Sequence, residues 1–149
     1  MDLSDLYQDV LLDHYRHPRG AARLDHVPQE RTHENPTCGD AIKLEVELGE
    51  DRRIRAVRFE AHGCAISTAS ASMMSERLRG LTVEEARQTA GQFIRILRGE
   101  ADSDVLDSWG DLASLKGVIR LPVRVKCATL AWHTLKSALT GEQQVATTE

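Results

Sequence analysis

Apolar positions along the chain recur with two different periods. Leu3, Leu6, Tyr7, Val10, Leu11 and His14 return every three to four residues, the stripe of an amphipathic helix. Asp5 and Asp9 sit early in it, Arg16 and His17 late, and Pro18 with Gly20 ends it, as the helix dipole and capping rules favour. From Ala21 to Glu34 the chain is polar and irregular, with room for a short edge strand and no readable chemistry. The period then drops to two. Ile42, Leu44, Val46 and Leu48 alternate with Lys43, Glu45 and Glu47, and after the turn-rich Gly49–Arg52, Val57, Phe59 and Ala61 alternate with Arg58, Glu60 and His62. Two half-buried strands in a hairpin are expected. Matching their apolar faces pairs Leu44 with Phe59 and Val46 with Val57.

Helical spacing resumes at Cys64 and runs to about Gly80. This stretch is rich in small residues that let another element approach closely, and Met73 and Met74 read as core filler. Thr82 and Glu85 form a capping box for a helix carrying Ala86, Ala90, Phe93, Ile94 and Leu97 and ending near Gly99. A polar link with Asp102 and Asp104 leads to a short segment around Leu106, Trp109, Leu112 and Leu115 that Gly117 is expected to break. A last helix opens at Leu121-Pro122 and runs to about Leu139, with Val123, Cys127, Leu130, Ala131, Leu135 and Ala138 facing inward. The pattern predicts an α+β fold, a small antiparallel sheet with helices packed on one face, in a single domain spanning 1–149. Residues from Glu142 onward read as a disordered tail.

A length of 149 residues is enough to bury a real core. A formal net charge of -4, with Lys and Arg scattered, argues against nucleic-acid binding. The first residues lack a signal-peptide pattern, and no apolar run approaches the ~20 residues of a membrane span. A cytoplasmic protein is expected. Its three cysteines, Cys38, Cys64 and Cys127, are an odd set that does not suggest a disulfide framework.

Extending the hairpin register to its open end places Cys64 opposite Gly39, between Cys38 and Asp40. Paired strands lie only ~5 Å apart, so three potential metal ligands converge at one mouth. Gly39 permits a tight bend between Cys38 and Asp40. Cys64 opens a helix, whose N-terminus favours the thiolate. Were Cys127 to join them, three thiolates and a carboxylate would suit tetrahedral Zn²⁺, with Asp40 the hard and exchangeable member. Such a site is negatively charged and attracts a cation, for which Arg124 and Lys126 are placed. Three buried free thiols form the bland alternative. His14 and His17 read as packed or solvated helix histidines, and His62 as a solvated residue on the polar strand face.

Four stretches together resemble the SufU/IscU family of iron–sulfur cluster assembly proteins: Leu6-Tyr7-Gln8-Asp9-Val10-Leu11-Leu12-Asp13-His14-Tyr15 with Pro18-Arg19, Asn35-Pro36-Thr37-Cys38-Gly39-Asp40, Gly63-Cys64-Ala65-Ile66-Ser67 with Ala69-Ser70, and Arg124-Val125-Lys126-Cys127-Ala128 with Leu130-Ala131-Trp132. The resemblance covers nearly the whole chain. It implies a three-stranded antiparallel sheet with helices packed on it, and Cys38, Asp40, Cys64 and Cys127 as metal ligands. Scaffolds of the IscU type carry a histidine directly before the third cysteine, where this chain has Lys126. The Asp102 to Gly117 segment resembles an insertion found in SufU-type proteins. Both features point to a zinc-dependent sulfurtransferase that serves a PLP-containing cysteine desulfurase of the SufS type and feeds the downstream Suf cluster-assembly machinery. In that reading Cys38 is the sulfur acceptor, Asp40 a weak ligand easing exchange, and Arg124 a catalytic cation. Two other readings stay open: a scaffold on which a 2Fe–2S cluster is built, and a structural zinc domain used as a binding module.

Overall fold

The computed structural model describes residues 3–24, 32–35 and 39–140. Among them the chain runs α1 (Leu3–Arg16), β1 (Thr32–Asn35), β2 (Asp40–Leu48), β3 (Ile54–His62), α2 (Ala65–Arg77) and α3 (Val83–Leu97). Two 3-10 segments, Ser103–Ser108 and Gly110–Arg120, then lead to α4 (Pro122–Thr140). The α+β class stands. The expected tail from Glu142 and the ligand candidate Cys38 both lie outside the described residues.

The sheet is antiparallel in the order β1-β2-β3. β1 is a four-residue edge strand at the end of the polar stretch from Ala21 to Glu34, where room for one was expected, and runs one residue past it. The long pair β2–β3 has the register that the alternation demands, with Leu44 opposite Phe59, Val46 opposite Val57 and Ala41 opposite His62. One slip would turn every apolar side chain to the other face, so the buried face enforces this pairing. Ile42, Leu44, Val46, Val57 and Phe59 are each at most 3% exposed. On the other face Arg58 spans Glu45 and Glu47 at 3.0 and 2.8 Å.

The helices cover the apolar face, with α4 against β2 and α2 against β3. At their centre Trp132 of α4 is fully buried, stacks on Phe93 of α3 with ring centroids 4.2 Å apart, and donates its indole N–H to Ser70 Oγ of α2 at 3.0 Å. Ser70 Oγ in turn donates to the Ala128 carbonyl at 2.6 Å. The small residues of α2 thus admit α4 at close range. Thr82 and Glu85 cap α3 reciprocally as expected. No helix of the described residues is long and apolar enough to cross a membrane.

Two expectations are corrected. Gly117 does not break its segment, which continues in 3-10 geometry to Arg120. A glycine most readily stops a helix by adopting positive φ, and Gly117 is not among the positive-φ glycines. Val123 is 57% exposed rather than inward-facing, because the first turn of α4 projects past the core that the later turns enter.

Candidate metal centre

The site is built where the hairpin ends and α2 begins. β3 stops at His62, opposite Ala41, so Cys64 leaves the ladder two residues later and meets Asp40 from outside it. The turn residue Gly39, at φ +76°, uses its freedom to bring the chain into β2 at Asp40. Asp40 is 2% exposed, and a buried carboxylate requires partners. Its Oδ1 accepts the Cys64 N–H at 3.1 Å, the Cys64 thiol points at Oδ2 from 3.5 Å, and Ser67 Oγ donates to the same oxygen.

Cys64 is the N-cap of α2, and its sulfur accepts the Ser67 N–H at 3.5 Å. The helix N-cap and the candidate ligand thiol are therefore the same residue. Cys127 arrives from α4, fully buried, with its sulfur 3.9 Å from the Val123 carbonyl. One ligand atom from each of Asp40, Cys64 and Cys127 lies within 4.8 Å of the others. Two donors ~2.3 Å from one tetrahedral zinc sit about 3.8 Å apart, so the group must draw in by up to about 1 Å to close on an ion. Two sulfurs and a carboxylate oxygen are all donor types that zinc accepts.

Arg124, one turn before Cys127, reaches its sulfur with Nη1 at 4.0 Å. That hydrogen bond, with the charges of Cys64 and Cys127, holds the guanidinium even more firmly in its charged form. Of the two cations expected here, Arg124 is the one seen against a candidate ligand sulfur, and both side chains are exposed.

Gly63 is required sterically. A Cβ there would lie 2.9 Å from Asp40 Cβ and closer still to its Cγ and Oδ1. Gly63→Ala is expected to displace the carboxylate or the start of α2, costing about 1–3 kcal/mol of stability and weakening metal binding. Urea unfolding and zinc titration check both. The sequence suggested neither this role for Gly63 nor the hydroxyl of Ser67, although Ser67 stands three residues after Cys64, the position an N-cap side chain engages.

A second group, His14, Glu76 and Asp111, also has donor atoms within 4.8 Å. His14 is fully buried, and its ring nitrogens meet Ser72 Oγ at 2.7 Å and Asp111 Oδ2 at 2.8 Å. Both are occupied by protein partners, so the ring fastens α1 to α2 and to the second 3-10 segment. His17 and His62 are exposed, and His62 contacts Glu60 at 3.1 Å.

Residues 6–144 match the NifU-like N terminal domain family. The chain is 38% identical over 143 residues, 95% of each chain, to the zinc-dependent sulfurtransferase SufU of Bacillus subtilis. It is 40% identical over 137 residues to the iron–sulfur cluster assembly scaffold protein IscU of Streptococcus pyogenes, covering 92% of this chain and 84% of that one. A solved structure from Fervidobacterium islandicum AW-1, described as a candidate iron–sulfur cluster assembly scaffold protein for the SUF system, superposes with a TM-score of 0.73. It is 31% identical and the match covers 93% of this chain and 99% of that one.

Proposed function

The chain belongs to the NifU-like N terminal domain family, and on that premise we propose that it is a zinc-dependent sulfur acceptor, taking persulfide sulfur from a PLP-containing cysteine desulfurase of the SufS type and passing it to the Suf cluster-assembly machinery. The observation that carries this reading is the convergence of Asp40, Cys64 and Cys127 from three separate elements, with Arg124 beside them.

Cys38 completes the ligand set and is the acceptor. Zinc, when bound, supplies the positive charge that keeps such thiols deprotonated at neutral pH. Cys64 is anchored at a helix cap and Cys127 is fully buried on α4, so both are holding groups. The Cys38 thiolate attacks the terminal sulfur of the partner's cysteine persulfide. A new S–S bond forms on Cys38 while the partner's S–S bond breaks, its cysteine leaves as a thiolate, and no net oxidation occurs. Arg124 offers its charge where the negative persulfide must arrive. Its approach to Cys127 supports that role.

The kinship with IscU scaffolds favours a second reading, in which the same thiolates hold a 2Fe–2S cluster. Metal analysis of the purified chain and incubation with desulfurase and ³⁵S-cysteine separate the two. Sulfur transfer is expected to give about one colourless zinc per chain and label that a reductant releases. A visible iron chromophore without label favours the scaffold. Zinc without label leaves only a structural zinc module.

A further inference from the structure

Ser67 is a third partner of the site that is not itself a candidate ligand. It is 5% exposed, and its hydroxyl donates to Asp40 Oδ2 while lying 3.6 Å from the Cys64 sulfur. Its backbone N–H faces the same sulfur at 3.5 Å. Asp40 Oδ1 is held separately by the Cys64 N–H at 3.1 Å. Each carboxylate oxygen therefore has its own fixed protein donor, one from the helix cap and one from the first turn of the helix.

We propose that Ser67 is a positioning residue for the metal, its hydroxyl fixing the orientation of the Asp40 carboxylate at the site. The inference rests on Asp40 being a ligand, as proposed above. A serine inside a helix usually spends its hydroxyl on the carbonyl four residues earlier. Here that residue is Gly63, outside the helix, and the hydroxyl goes to Asp40 instead. The hydroxyl also lies 3.6 Å from the Cys64 sulfur, but its hydrogen bond to the carboxylate is the contact through which it acts.

The test is zinc affinity of the full-length chain, measured by competition with a chromophoric chelator. Ser67→Ala is expected to weaken zinc binding about 10- to 100-fold, the usual loss when a partner of a metal ligand is removed. Ser67→Thr, which keeps the hydroxyl, is expected to bind close to the unsubstituted chain. In an Asp40→Ala background, Ser67→Ala is expected to cost nothing further, because its effect passes through the carboxylate. Cobalt-loaded chains give an independent readout, as the visible bands should shift in Ser67→Ala and not in Ser67→Thr. Unchanged zinc affinity in Ser67→Ala, or an equal loss with and without Asp40, overturns the inference. If Asp40→Ala alone binds zinc as tightly as the unsubstituted chain, the ligand assignment itself fails, and the role of Ser67 falls with it.

Discussion

Cys38→Ser is expected to accept sulfur at least about a thousandfold more slowly than the unsubstituted chain, the scale of losing an attacking group outright. A serine hydroxyl is not ionised near neutral pH, and its oxygen is a poor nucleophile toward a sulfane sulfur. The variant retains Asp40, Cys64 and Cys127, whose donors lie within 4.8 Å of one another. It should therefore hold some zinc while failing at transfer. Metal analysis measures the first property and single-turnover incubation with a ³⁵S-charged desulfurase the second. Transfer at the original rate would move the nucleophile to Cys64 or Cys127 and overturn the assignment of roles, since Cys64 caps a helix and Cys127 is fully buried.

Trp132→Ala is expected to destabilise the fold by about 3–5 kcal/mol, the range for truncating a large aromatic in a packed core. Against a typical total of about 5–15 kcal/mol this is a large share. Three losses combine: the ring's burial, its stacking on Phe93 at 4.2 Å, and the hydrogen bond to Ser70. Ser70 also holds the Ala128 carbonyl, next to Cys127, so the loss should loosen the element that delivers a ligand. Urea unfolding of the zinc-loaded chain checks the first effect through its midpoint, and the zinc off-rate checks the second. A variant with an unchanged midpoint would show that α4 is held elsewhere.

Exchange and stability thus draw on different parts of the molecule. Two of the candidate ligands, Asp40 and Cys64, sit at element ends, where Gly39 and Gly63 leave the backbone room to bring them together. The helices that hold those ends meet well inside, around Trp132 and Phe93. A site arranged this way can be altered at a ligand without unfolding the domain, whereas damage at the helix crossing reaches the metal as well.

By itself the chain's pattern determined the hairpin, its register and the helix caps. Alternation with one buried face admits a single pairing, and the Thr82–Glu85 box is closed by residues three apart. It also brought Asp40 and Cys64 together, since both lie at the open end of that one hairpin. What only the tertiary structure decided involves elements far apart along the chain. The arrival of Cys127 depends on α4 crossing α2 through Ser70 and Trp132, a contact that no local period encodes. The acidic partner of His14 comes from the second 3-10 segment, invisible to any search for ligand spacing along α1. Val123 shares the spacing of the inward face yet is exposed, because periodicity names a stripe on a helix but not where the core beneath it ends.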